Sequence, residues 1–441
     1  MRSGLRHVRE HHVYFIMIAL LLAGYLYCVV VPARGDAWGF SQFRQIRPSV
    51  VYLVLAAVGV ALADLIRGNG GGRAPGPDEP LLSVGQLLVY ALVAVAFVGL
   101  FWLFRSQFLN PDGRLLTLKI PRDVAATGAH LKHDEIMELF VHSRFWYLAN
   151  RRLGWSVVKS YQVLSVLAGG LAVFLLLMLT RLLLPRRSLM LFLLMISAGY
   201  MQLFFGDVEN YTLVTTLMLF YLLASHLFLS GRASIVVPSA ILAVAICFHV
   251  LAGWLLPSLA YLYFLAAQRR QFRAMAGGIA LSTLIVVGTL LAFHFSGLLP
   301  IQGLLTSHLA GDGRGYSGML APLSIQYYWE IANLLFLLFP GAILILPLLA
   351  FGRIGREREG VFLTVAGGCM LAFMLVWRAG LGVYYDWNLF APGMIPLALL
   401  CFYHLLRNGQ LRHSNWISFG ILTLSMLHSY SWIISNHYFL P

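Results

Sequence analysis

Residues 81–104, LLSVGQLLVYALVAVAFVGLFWLF, contain no charged side chain. As a helix this stretch would be roughly 36 Å long, enough to cross the about 30 Å hydrocarbon core of a bilayer. It is one of thirteen apolar runs, at 13–31, 49–66, 81–104, 161–184, 189–206, 211–230, 235–249, 250–267, 275–295, 329–350, 361–377, 389–406 and 415–434. Of the 441 residues, 60% are hydrophobic and 11% charged. A soluble domain carries about 25% charge to cover its water-facing surface, so a soluble enzyme, a disordered chain and a disulfide scaffold are excluded. Barrel strands are short and alternate apolar with polar residues, and these runs do neither. The expected fold is all-α, a polytopic transmembrane bundle of about 13 spans. The seventh and eighth runs are short and also fit one broken helix. Arg2, Arg6 and Arg9 ahead of the first run resemble a signal peptide, but no small-residue cleavage site follows, so that run is read as a retained span.

Net charge is 31 − 17 = +14, and all but Lys119, Lys132 and Lys159 of the basic residues are arginines. In so apolar a chain this excess points to membrane orientation rather than to nucleic acid. Seventeen basic residues fall in the N-terminal tail and in loops 67–80, 180–188, 231–234, 268–274, 351–360 and 407–414. The alternate short loops hold five, Arg34, Arg44, Arg47, Arg314 and Arg378, and the long loop 105–160 holds the other nine. Short loops decide orientation, which predicts a cytoplasmic N-terminus and an extracytoplasmic C-terminus. The acids sort the opposite way: 11 of 17 fall in the outer segments, among them Asp112, Asp207, Glu209, Glu330 and Asp386. Carboxylates gathered on one side of a membrane protein mark a candidate site, against the plain alternative of solvated loop acids. The four cysteines lie far apart inside apolar runs and read as small buried hydrophobes.

The outer loops carry the candidate chemistry. In loop 105–160, Asn110-Pro111-Asp112-Gly113 has turn composition. The later segment HLKHDEIMELFVHSRFWYLANRRLG spaces Ile136, Leu139, Phe140 and Tyr147 as an amphipathic interfacial helix. Asp207 and Glu209, at i and i+2 in a very short loop, are costly there unless paired or wet. Three roles are open to them: ligands for a divalent cation such as Mg or Mn, a hold on a substrate hydroxyl, or partners for an arginine. His249 sits at the next outer turn. The glycine-rich segment SHLAGDGRGYSG holds His308 and Arg314, and an arginine fork suits a phosphate. Glu330 opens a later span, and Arg378, Tyr384 and Asp386 lie in the last outer turn. Each also has an ordinary reading as a capping, paired or interface residue.

The order of these loops resembles the GT-C superfamily of integral-membrane glycosyltransferases, which includes protein O-mannosyltransferases and the bacterial enzymes that move aminoarabinose onto lipid A. The resemblance runs over residues 81–406. It rests on the span 81–104 followed by Asp112 and the helix near 131–152; on GDVENYTLVTTLMLFYLL, with Glu209 and Tyr211; on HVLAGWLLPSLAYL, with His249; and on VYYDWNLFAPGMIPLALL. Two spans precede the matching region, and the first-loop acid is single where many members have an adjacent pair; here such a pair, Asp134-Glu135, comes later. The resemblance divides the chain into 1–80, two leading spans and a Gly/Pro-rich linker; 81–406, the catalytic core; and 407–441, an extra C-terminal span.

What the resemblance implies is transfer of a sugar from a polyprenyl-phosphate donor to a lipid, glycan or protein acceptor at the outer face of a bacterial inner membrane. Asp112 would be the base, with Asp207 and Glu209 beside it. Arg314 and Arg378 would hold the phosphate with His249, and His308, Tyr211, Tyr384, Asp386 and Glu330 would contact substrate. The competing readings are a transporter or flippase of a lipid-linked sugar, which would place ionisable residues near the midplane, and a surface-polysaccharide ligase or polymerase. The partners expected are the bilayer, the lipid-linked donor and an acceptor, with no nucleic acid.

Overall fold

The computed structural model describes residues 38–39, 42, 46–67, 82–298, 324–342, 357–377, 379–407 and 414–438. The first apolar run, the linker 68–80 and the candidates His308, Arg314 and Arg378 lie outside the described residues. The described residues are helical, with no strand. In chain order they form α1 (Pro48–Arg67), α2 (Val84–Leu103), α3 (Pro111–Thr127), α4 (Ile136–Leu153), α5 (Val157–Leu183) and α6 (Ser188–Ile196). After a 3-10 turn (Gly199–Phe204) come α7 (Thr212–Leu229) and α8 (Val236–Phe248). A second 3-10 turn (Val250–Leu255) leads to α9 (Leu256–Gln268), α10 (Phe272–Phe295), α11 (Ile325–Leu338), α12 (Arg358–Val376), α13 (Trp387–Arg407) and α14 (Ser414–His437). Eight helical segments among the described residues are long and apolar enough to cross a membrane, which makes this an integral membrane protein.

Burial sorts the helices. α13 is the axis of the bundle, with 94% of its spanning window buried, while α2 and α10 are each 11% buried and turn leucine, valine and phenylalanine outward. α13 packs along α12, α2 along α5, α5 along α7, α7 along α8, and α8 along α10. With no hydrophobic force between helices in lipid, such packing relies on close backbone approach at small residues. Gly169 on α5 shows it: a Cβ there would lie 2.6 Å from Phe204 Cβ and 2.8 Å from the Phe101 ring.

Two expectations change. The run 189–206 is not one membrane-long helix. It is the nine-residue α6, which ends at Ile196, followed by the 3-10 turn, all buried; a Cβ on Gly199, the first residue of that turn, would lie 2.1 Å from the Leu337 carbonyl oxygen of α11. The runs 235–249 and 250–267 separate at His249, as their lengths suggested: a 13-residue helix is followed by a segment that opens with the 3-10 turn Val250–Leu255 and continues as α9. Residues 110–114 are not an isolated turn but the start of a 17-residue helix. There Asn110 Oδ1 accepts from Gly113 N at 2.6 Å, Pro111 needs no hydrogen-bond partner at the first helical position, and Leu116, Ile120 and Val124 form the buried stripe. The interfacial helix spans Ile136–Leu153.

The loops assigned to opposite sides gather at opposite ends. At one end Ser106 N donates to Phe205 O (2.7 Å), Gln107 N to Asn436 O (3.0 Å) and Val250 N to Asp134 O (3.0 Å). At the other, Arg187 donates to Leu406 O (2.8 Å), Arg269 to Phe228 O and Leu229 O (both 3.0 Å), and Arg407 pairs with Glu357 at 2.9 Å.

Gly169→Val should overpack the contact between α5 and the 3-10 turn and lower stability by about 1–3 kcal/mol. Thermal unfolding in detergent checks this, and an unchanged midpoint would show that the contact yields.

Candidate functional site

α3 begins in the loop that follows α2 and lays one face along a cavity of about 510 Å³. Asp112 sits in its first turn, half-buried, where the positive end of the helix dipole favours a carboxylate. One and two turns on, Leu116 and Lys119 line the same wall. Gly128, at φ +85°, ends the helix, and the turn after it carries His130, Lys132, Asp134 and Glu135 to the cavity.

The loop 205–211 supplies Glu209, Asn210 and Tyr211, and buried groups hold it from three directions. Gly206 takes φ +70° because a Cβ there would lie 2.9 Å from Arg105 Cβ. Tyr161 OH donates to Asn210 Oδ1 at 3.1 Å, with His142 stacked on the Tyr161 ring at 3.9 Å. Glu138 of α4, fully buried, accepts from Leu213 N and Val214 N, each at 3.0 Å. A carboxylate on the free N–H groups at the start of α7 is a charge-assisted cap, so the interfacial helix and the acidic loop are fixed to one another.

His249 closes another side. Its Nδ1 accepts from Leu251 N at 3.1 Å, which leaves the ring proton on Nε2 as a donor. Its ring lies 5.1 Å from that of Tyr211, which also lines the cavity. The turn before α13 adds Asp386, whose Oδ2 accepts from Leu381 N at 2.7 Å, and Trp254, Phe373 and Trp377 give the cavity an apolar side.

The electrostatics separate the carboxyls. Burial lifts Glu209 well above the usual carboxylate range, and Asp207 and Asp112 add repulsion. Burial raises Asp386 to about 6 and Asp207 to about 7, and Asp207 Oδ2 has no hydrogen-bond partner. For Lys132, burial works downward, but Glu135 at 2.7 Å, with Asp134 and Asp112, raises its pKa, so it stays cationic. The cavity therefore offers cationic and N–H donors, Lys132, Lys119 and His249, together with carboxyls, Glu209 and Asp386, whose pKa values burial raises.

Of the residues singled out in the sequence, Asp112, Glu209, Tyr211, His249 and Asp386 line this cavity. Asp207 is buried behind it, Tyr384 stacks edge-on against Trp38 at 5.1 Å, and Glu330 is half-buried on α11; none of these three is among the lining residues. Among the described residues no group of three or more His, Cys, Asp or Glu side chains is arranged to hold a metal. Lys119, His130, Lys132 and Asn210 escaped sequence reasoning. The signal for Lys119 was present: Asp112, Leu116, Lys119 and Asp123 share one helical face, visible only once 111–127 is read as a helix.

No family model and no curated sequence relative matches the chain. Solved structures do. The fold is similar to that of ArnT from Cupriavidus metallidurans. The crystal structure of that protein bound to undecaprenyl phosphate aligns with a TM-score of 0.54 at 14% identity, covering 81% of this chain and 78% of the other. Its apo form aligns at 0.53 and 14%, covering 80% and 77%. The all-helical membrane fold expected from the loop order is the fold observed, and it is shared with ArnT.

The Asp207 shift has a consequence for stability. Its pKa is higher in the folded state than in the unfolded chain, so folding disfavours the ionised form, and stability falls as pH rises from about 4 to about 7. Asp207→Asn should therefore raise the melting temperature relative to wild type at about pH 8 and much less at about pH 5. An equal difference at both pH values would contradict the burial of an unpaired carboxyl.

Proposed function

We propose that the protein is a membrane glycosyltransferase that moves a sugar from a polyprenyl-phosphate donor to an acceptor hydroxyl or amine at the extracytoplasmic face of a bacterial inner membrane. One observation carries this reading: Lys132, the His249 N–H and the half-buried Asp112 meet at a single cavity, lined by α3, the turn after it, the loop at Glu209–Tyr211, the 3-10 turn Val250–Leu255 and the turn before α13. Transfer needs a hold on the leaving phosphate, a base for the acceptor, and an enclosed site, and those groups match the list. The GT-C fold and the undecaprenyl phosphate found with ArnT agree with it.

The steps assign as follows. Lys132 and His249 Nε2–H take the phosphate, with Lys119 further along the wall. The acceptor oxygen or nitrogen attacks the anomeric carbon, and the bond from that carbon to the phosphate oxygen breaks. Polyprenyl phosphate leaves with the bonding pair, and Asp112 accepts the acceptor's proton. Glu209, whose carboxyl lines the cavity, contacts the bound substrate. Inversion at the anomeric carbon follows from the single displacement that the family resemblance implies. Arg314, Arg378 and His308 remain proposed donor-side contacts, and a Mg or Mn ion at Asp207 and Glu209 remains testable by chelation.

A flippase would distribute its ionisable groups toward the midplane, whereas those described here gather at the ends of the helices. In proteoliposomes supplied with polyprenyl-phosphate sugar, Asp112→Asn should cut kcat by about 10²–10⁴-fold while carrier binding survives. Lys132→Ala should mainly weaken carrier binding. Near-normal turnover of Asp112→Asn would remove it as the base, and movement of labelled donor between leaflets without transfer would favour the transporter.

A further inference from the structure

The turn after α3 holds a pair that the steps above do not use. His130 is 5% exposed and lines the cavity, and its Nδ1 lies 2.7 Å from Asp123 Oδ2. The other Asp123 oxygen accepts from Arg122 Nε at 2.9 Å, so the carboxylate is engaged on both sides. A carboxylate accepts only, so Nδ1 carries the ring proton and Nε2 presents a lone pair. That Nε2 is buried and has no hydrogen-bond partner. A buried acceptor left without a donor is costly, and its neighbours along the wall, Lys119 and Lys132, repel any proton on the ring.

We propose that His130, oriented by Asp123, is the subsite that recognises a hydroxyl or amino group on the sugar of a lipid-phosphate donor. The polarity supports this assignment. The phosphodiester of a sugar-bearing carrier has no hydrogen to give to an acceptor-only nitrogen, whereas a sugar hydroxyl or amine does. The position supports it too: Lys132, the phosphate cation of the proposed function, is two residues away on the same turn and lines the same cavity. A phosphate held by Lys132 would keep its glycosyl group in the cavity that His130 also lines. The assignment rests on the donor class proposed above.

The test compares binding of bare undecaprenyl phosphate with undecaprenyl phosphate carrying a hexose, a pentose or an aminopentose, all to the full-length protein in nanodiscs. Wild type should bind at least one sugar-bearing carrier more tightly than the bare one. His130→Met should lose about tenfold of that gain, the worth of one hydrogen bond, and leave bare-carrier affinity unchanged. His130→Gln, which keeps an acceptor near the Nε2 position, should retain most of it. Asp123→Ala keeps the imidazole but frees its tautomer, and should lose part of it, so a misfolded methionine variant does not stall the test. The proposal is overturned if no sugar improves wild-type binding, if His130→Met and Asp123→Ala keep the full gain, or if His130→Met weakens bare and sugar-bearing carriers alike. A wild type that binds neither form would instead overturn the donor class itself.

Discussion

A backbone inside a bilayer finds no water for its N–H and C=O groups, so irregular chain at membrane depth survives only where protein or a wet cavity surrounds it. This protein has three such interruptions among its described residues: the 3-10 turn Gly199–Phe204 with the loop to Tyr211, the 3-10 turn Val250–Leu255, and the loop before α13. The first is completely enclosed by neighbouring helices. All three contribute lining residues to the candidate site, which α3 and the turn after it complete. Glu138 makes the arrangement rigid, because it satisfies Leu213 and Val214 N–H with a side chain from the interfacial helix. The same dry surroundings that demand those bonds also push up the Glu209, Asp207 and Asp386 pKa values.

Segments with a single physical determinant were legible in the sequence. Uncharged runs gave spans, and the sorting of basic and acidic residues gave two ends; the loops grouped by that count do meet in space. Glu209, Tyr211, His249 and Asp386 line the cavity because a polar side chain in a short loop has few places to go, and Asp112 because it sits in the first turn of α3. The misreadings have equally specific causes. Residues 189–206 are apolar throughout, and apolarity alone does not distinguish a spanning helix from a buried broken one. Asn110-Pro111-Asp112-Gly113 is a turn composition and also a helix start, and only the stripe Leu116, Ile120, Val124 decides between them.

Lys132 and His130 were missed for a different reason. In sequence they sit in HLKHDE, a charged stretch that reads as a solvated lead-in to an amphipathic helix. Their importance comes from partners far along the chain, among them Val250 N, which bonds Asp134 O and brings this turn against His249. The candidate phosphate cation expected from the sequence was an arginine in a later loop. Within the described residues the cation facing the acids is a lysine from the first loop.

The central claim is that this cavity holds the phosphate of a polyprenyl carrier. It is tested most directly by a cryo-electron microscopy map of the protein in nanodiscs with undecaprenyl phosphate. The account predicts headgroup density between Lys132 Nζ and His249 Nε2, with the isoprenoid tail leaving along the bundle toward lipid. Headgroup density elsewhere on the protein, with this cavity empty at saturating carrier, would contradict it.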